Sequence, residues 1–282
     1  MIKLLIPTDF SDNALKAVEY VMEIAKISET TIYLLNVIEP IPNSIRQPYA
    51  GLEKLEKEIV NNRLSELNAL QKSIVQQYPD IKIESEVVRG TIITSVLDFA
   101  ESKQVDLIVM GTKGATGLQE IFMGSVSAGT IGQSKIPVLT IPHDYIFEVP
   151  DGILFATNRF EENTELLNKI VEIANLFSAS IHVVVFVDTD TAEAADYIQN
   201  TRQLTNYLVF LKTAFPGITF KAELLEGSVF EEIIENYNTK NEVDIIAMIT
   251  YPKSFWERLV KKSMTKKMAF HSKIPVLAIP AK

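Results

Sequence analysis

Cysteine is missing from all 282 residues. Its absence excludes a disulfide framework, a thiolate nucleophile and cysteine-ligated zinc, and it fits a reducing compartment. Histidine is scarce. His143, His182 and His271 lie far apart at no metal-ligand spacing, and no Ser/His/Asp order emerges, so neither catalytic residues nor a metal site is expected. The Walker lysine motif and the kinase-type glycine loop are also missing. No apolar run approaches the roughly 20 residues that span a bilayer. The opening MIKLLIPTDFSDN is too briefly apolar for a signal peptide. A cytoplasmic protein without a membrane partner is expected. Positive charge is in short supply, with 27 Lys and Arg against 36 Asp and Glu, a net charge of −9 and a pI near 5.0. Binding nucleic acid would require a dedicated basic stripe against that balance. The one basic cluster, Lys261, Lys262, Lys266 and Lys267, reads as a solvated helix face.

What the chain has is a hydrophobic content of 47% and a length sufficient for two domains with separate cores. It is also written twice. VDLIVMGTKG at 105–114 aligns with VDIIAMITYP at 243–252, and SKIPVLTIP at 134–142 with SKIPVLAIP at 272–280, both at an offset of 138. LLIPTDF at 4–10 matches ILFATNRF at 153–160, and TIYLLNV matches SIHVVVF, at an offset of 149. The second copy is therefore about a dozen residues shorter in its middle, and the period is far too long for a solenoid. Domains are expected over 1–145 and 150–282, joined at HDYIFEVPDG.

Within the first copy, apolar runs predict strands at 2–7, 31–38, 105–110 and 136–141, and alternation predicts one at 81–88. Helices are expected at 11–27 behind a Ser cap, at 52–78, at 91–103 and at 125–134. For the long helix the expected apolar face is Leu52, Leu55, Ile59, Leu64, Leu67 and Leu70. Strands alternating with helices imply an α/β fold, a doubly wound and mostly parallel sheet in each copy. Ligands in such folds gather beyond the C-terminal strand ends, where the winding reverses. Thr8-Asp9 and Gly111 both stand directly after a strand.

GTKGATGLQEIFMGS at 111–125 places Gly111, Gly114 and Gly124-Ser125 at the spacing Gly-x2-Gly-x9-Gly-Ser. Gly111 suits a sharp turn and close approach of a ligand, and Gly114 a second turn exposing backbone N–H groups. Gly124-Ser125 opens a helix whose N-terminus favours an anion, with Ser125 and Ser127 as hydroxyl donors. Turning alone is the competing explanation for the glycines, and a local cap with Ser11 is the competing one for Asp9. The second copy bears on the first of these. There Gly111 becomes Ile249, Gly114 becomes Pro252, Gly124 becomes Lys262 and Asp9 becomes Asn158, while the strands are retained. Phe255 and Trp256 read as packing residues.

Gly111-x2-Gly114-x9-Gly124-Ser125, with IPTDFSDNA and SKIPVLTIP, closely resembles the nucleotide-binding branch of the universal stress protein family. The resemblance covers both halves and implies a tandem protein with the adenine nucleotide alpha hydrolase-like fold. It also implies that the two copies form an intramolecular pseudo-dimer through their last strands. In that family the glycine motif holds the ribose and phosphates of ATP, and the Asp after the first strand holds the adenine. Carried onto matching positions, the implied contacts are Pro7, Thr8 and Asp9, Val37, then Met110, Gly111, Lys113 and Gly114, and finally Gly124, Ser125, Val126 and Ser127. Lys113 departs from the His or Arg often found there. The ligand implied is ATP, or AMP or ADP, with or without Mg, held in the first copy only by a stress-response regulatory protein. Slow ATP hydrolysis, assisted by Asp12 or a metal-bound water, and a scaffold without nucleotide are the alternatives. A homodimer and an unidentified protein partner are compatible with the resemblance.

Overall fold

In a computed structural model that describes residues 1–40, 52–112, 124–251 and 272–281, each repeat folds as its own α/β unit. One unit ends at His143, and the next begins at Asp144. The first unit runs β1 (Ile2–Pro7), α1 (Asp12–Ile27), β2 (Thr30–Ile38), α2 (Leu52–Gln77), β3 (Lys82–Arg89), α3 (Ile92–Lys103), β4 (Leu107–Gly111), α4 (Ser125–Gln133) and β5 (Val138–Ile141). Its strands are all parallel in the order β3-β2-β1-β4-β5. The chain winds outward from β1 to β3, then returns to the other side of β1 at β4. The switch point therefore lies between β1 and β4.

The second unit repeats this with β6 (Gly152–Ala156), α5 (Thr164–Phe177), β7 (Ser180–Asp188), α6 (Ala194–Ala214), β8 (Phe220–Gly227), α7 (Phe230–Asn241), β9 (Ile245–Thr250) and β10 (Val276–Pro280). Its order is β10-β9-β6-β7-β8, again parallel, with the switch between β6 and β9. The expected shortening is divided between two places. The stretch between β7 and α6 is brief beside that between β2 and α2, and α6 has 21 residues against 26 in α2.

The apolar runs are buried as a sheet covered on both faces requires. Leu4, Leu5, Ile6, Val109 and Ile108 in the first unit are at most 1% exposed, as are Ile153, Leu154 and Phe155 in the second. Burying each such side chain is worth about 1.5–3 kcal/mol. The outer strand β3 alternates between exposed and half-buried positions. For α2 the expected face is only partly right. Leu67 and Ile74 are buried, whereas Leu55 and Leu64 are exposed. The covered stripe runs through 63, 67, 70 and 74, a spacing of three and four residues, and Leu55 and Leu64 fall off it.

Two sequence signatures shared by the copies prove to be structural clamps. Asp106, just before β4, accepts the Lys3 backbone N–H at 2.8 Å, and its own N–H donates to the Lys3 carbonyl at 2.9 Å. Asp244 holds β6 in the same way, accepting the N–H groups of Asp151 at 2.8 Å and Gly152 at 3.1 Å. In SKIP, the hydroxyl of Ser134 donates to the carbonyl of Ile136 at 2.6 Å and accepts its N–H at 3.0 Å. Ser272 and Ile274 repeat the pair. These bonds delay the strands: β4 and β5 start two residues later than their apolar runs predict.

Candidate functional site

The C-terminal ends of β1 and β4 define the crevice in the first unit. Thr8 follows β1, is 5% exposed, and fixes the turn from several directions. Its N–H donates to the Leu35 carbonyl at 2.8 Å, its hydroxyl oxygen accepts the Phe10 N–H at 3.1 Å, and its carbonyl accepts the Asn36 amide at 2.7 Å. The Asn36 bond joins the end of β2 to this turn and brings Val37, half-buried, toward Thr8-Asp9. Pro7 closes β1 and is also half-buried. Phe10 sits at φ 63°, a region an aromatic residue seldom occupies. The Arg63 guanidinium of α2 lies 5.5 Å from the centre of its ring.

Asp9 is exposed, and its Oδ1 accepts both the N–H of Ser11 at 3.1 Å and its hydroxyl at 2.5 Å. Ser11 in turn caps α1 by accepting the Ala14 N–H. The local capping role weighed for Asp9 is thus real. A carboxylate has acceptor capacity beyond those two bonds, so a ligand role is compatible with it.

Across the crevice, Met110 is 5% exposed, and its side chain belongs to the core. Gly111 ends β4, and Thr112 donates its N–H to Ile141 at 3.1 Å. The Thr112 carbonyl accepts the N–H of Gly124. Lys113 and Gly114 lie outside the described residues, as do Pro252, Phe255, Trp256, the four-lysine cluster and His271. Gly124 is the N-cap of α4 and offers no side-chain cap to the first helical N–H groups. Ser125 is exposed, and Val126 is half-buried. The structure therefore gathers Pro7, Thr8, Asp9, Val37, Gly111, Gly124, Ser125 and Val126 around one edge of the sheet.

Two expectations change. Ser127 is 3% exposed, and its hydroxyl donates to the Gly111 carbonyl at 2.7 Å, so it fastens α4 to β4 instead of offering a donor to a ligand. Gly111 itself is required by packing. A Cβ there would stand 2.4 Å from the Asn13 carbonyl oxygen and 2.8 Å from its carbon. Close approach does explain this glycine, but the approaching group is the start of α1. Its loss in the second copy consequently says less about a ligand than the sequence comparison suggested.

The second unit shows how that loss became possible. The connection from β1 to α1 spans 8–11, whereas that from β6 to α5 spans 157–163, three residues longer. The helix cap moves with it, from Ser11 to Asn163, whose side chain accepts from Glu165 and Leu166. The offset of 149 is kept on both sides of this connection, at the end of β6 and again within α5, so the connection is longer because α5 starts later than α1 and not because residues were added. Thr157 still accepts the N–H of Arg159, as Thr8 does that of Phe10, but the positive φ passes to Phe160. The extended loop carries an ionic and aromatic group. The Tyr251 hydroxyl donates to Glu161 Oε2 at 2.6 Å, that of Tyr207 donates to the Glu161 carbonyl at 2.6 Å, and Arg159 lies 4.1 Å over the Tyr251 ring. The Tyr251 hydroxyl holds the Glu161 carboxyl below its ordinary range, and burial pushes both phenols upward. Sequence reading missed this group. Its signal was the late cap at Asn163, three positions beyond where the repeat puts one.

A second group it missed lies within the sheet. His182 of β7 is 1% exposed, with Nε2 3.0 Å from the Ser180 hydroxyl and Nδ1 3.2 Å from that of Tyr237 on α7. Burial, then the charge of Lys221, lowers its pKa to about 4. No carboxylate completes a catalytic triad in these bonds, and the residue acts as a neutral core element. Among the described residues no group of three His, Asp or Glu could hold a metal ion, and no helix is long and apolar enough to cross a membrane.

Known proteins agree with the repeat. The family model described as "Universal stress protein family" matches residues 1–142 and again 151–280. Universal stress protein MJ0531 of Methanocaldococcus jannaschii is 34% identical over 139 residues, covering 49% of this chain and 81% of the relative. Universal stress protein MJ0577 of the same organism is 32% identical over 151 residues, covering 49% and 93%. The crystal structure of a universal stress protein from Archaeoglobus fulgidus aligns over 99% of this chain and 98% of its own with a TM-score of 0.76 at 20% identity, a likeness of fold. With the family model met once by each repeat, the chain belongs to the universal stress protein family as a tandem member.

Proposed function

We propose that the first unit binds an adenine nucleotide, ATP or its AMP and ADP relatives, and that the second does not, making the chain a nucleotide-responsive regulatory protein. The observation that carries this reading is the convergence at the β1/β4 switch point. There the Thr8-Asp9 turn follows β1, Gly111 ends β4, and Thr112 just beyond it is joined to Gly124 at the start of α4. The helix N-terminus suits a phosphate and contributes about 0.3–1 kcal/mol per charge before direct hydrogen bonds. On this reading Asp9, which already accepts from Ser11, also accepts from the amino group of a base. The family resemblance of the glycine motif makes that base adenine. A charged acceptor on one side and helix N–H groups on the other match the two ends of a nucleotide. No general base is assigned among the described residues, so turnover is not part of the reading.

Thermal melting of the full chain with ATP, with AMP and without ligand tests this. Ligand at 100 times its dissociation constant would stabilise the unit by about 2.7 kcal/mol. Asp9→Asn retains an acceptor for Ser11 but loses the charge, and Gly124→Lys copies the second repeat. Each should abolish the shift while leaving the unliganded midpoint nearly unchanged. No shift with either nucleotide in the unaltered chain would sink the proposal in favour of a scaffold. Steady conversion of ATP to ADP would replace it with the ATPase alternative.

A further inference from the structure

At the second unit's switch point the residues that flank the crevice are tied to one another. Tyr251 directly follows β9, and Arg159 and Glu161 stand in the connection after β6. Glu161 Oε2 accepts the Tyr251 hydroxyl at 2.6 Å, and Glu161 Oε1 accepts the Asn163 N–H at 2.8 Å. The Glu161 carbonyl takes the Tyr207 hydroxyl from α6, and Phe160 packs edge-on against Tyr207 with ring centres 5.6 Å apart. Arg159 covers the Tyr251 ring from above. One residue, Glu161, thus links the end of β6, the end of β9 and α6. By sequence register Tyr251 takes the place of Lys113, so a lysine in the first copy corresponds, in the second, to the donor that holds a carboxylate.

We propose that this network is a built-in occupant of the second crevice, and that Glu161 is the residue that excludes phosphate-bearing ligands from it. Its carboxylate is anchored by two hydrogen bonds beyond the C-terminal ends of β6 and β9, beside the Arg159 guanidinium, and a phosphate entering that crevice would meet a like charge. A site that rejects a ligand by presenting the wrong charge discriminates more sharply than one that merely lacks contacts. The lost glycines supply a rival explanation. Ile249 and its neighbours would then suffice to keep nucleotides out, and Glu161 would be only a loop tie. The two explanations differ in what removing the charge does.

The proposal concerns the second unit and does not require that the first bind nucleotide. The experiment is equilibrium dialysis of the full chain carrying Asp9→Asn, with ATP and separately with inorganic triphosphate. Into this background Glu161→Gln is introduced, which keeps the oxygen that accepts from Tyr251 and removes the charge, and alongside it Glu161→Ala. Glu161→Gln is expected to raise affinity for both anions at least tenfold and to add up to one equivalent bound per chain. Circular dichroism confirms that the variant remains folded. Should Glu161→Ala fail to fold, Glu161→Gln alone gives the result. Unchanged binding of both anions, within twofold, in a folded Glu161→Gln chain overturns the proposal and assigns exclusion to the lost glycines. Failure of the first unit to bind nucleotide would show in the unsubstituted chain and leave this comparison intact.

Discussion

The two crevices of this chain begin from the same strand order and end in opposite solutions. In the first, a four-residue connection presses the start of α1 against Gly111, and the crevice faces Asp9 and an α4 N-terminus without a side-chain cap. In the second, a seven-residue connection brings Glu161 under Tyr251 and Arg159. The strands, the Asp106 and Asp244 clamps and the SKIP turns scarcely differ. A duplicated domain can therefore hold its frame while a few connection residues give the same strand ends different contacts.

The strongest way to break the comparison is to force one crevice toward the other. Gly111→Ile should destabilise the first unit by about 3 kcal/mol, because the atoms in the way belong to backbone and cannot rotate aside. Inserting three residues between Phe10 and Ser11 should recover much of that loss, as the longer connection of the second unit allows. Urea unfolding measures both. A stable Gly111→Ile chain without the insertion would remove the packing account of this glycine.

A second difference appears with pH. His182 occupies the place that Tyr33 fills in the first unit, and its folded pKa of about 4 is depressed below the ordinary 6.5. Between those values the unfolded chain binds the extra proton and the folded one does not. The stability His182 contributes is thus complete above about pH 6.5 and falls as pH drops toward 4, by up to about 3 kcal/mol. The groups around the ring are Ser180, Tyr237 and Lys221. His182→Phe should flatten the second unit's stability across that interval, and an unaltered slope would contradict the assignment. The smallest expected contrast lies between the clamps. Asp244 accepts two backbone N–H groups and Asp106 one, so Asp244→Ala should cost about 2 kcal/mol and Asp106→Ala about 1 kcal/mol. Equal losses in denaturant titration would show that the second N–H of the Asp244 clamp contributes little.

Much of the frame was legible in the residues themselves. Buried parallel strands announce themselves as continuous apolar runs, and the internal repeat supplied their pairing twice. The face of α2 was misread because Leu55 and Leu64 are apolar without being covered, and hydrophobic identity alone does not reveal which stripe a sheet will meet. The edge of the first crevice was legible because Thr8-Asp9 follows β1 and Gly111 ends β4, neighbouring parallel strands whose C-terminal ends lie side by side. The roles of Gly111 and Ser127 were not, since each depends on a contact between elements distant in sequence: Gly111 against Asn13, Ser127 against Gly111. The Glu161 network was hidden by an alignment that ran evenly through a connection of altered length.

The contact between Gly111 and Asn13 also constrains history. A side chain at 111 and a short β1–α1 connection cannot coexist without displacing backbone. If the second copy descends from one built like the first, its connection had to lengthen before, or together with, the change from glycine to isoleucine. The later start of the helix was then the permissive event and the lost glycine its sequel, an order that reconstructed intermediates of the two repeats should display.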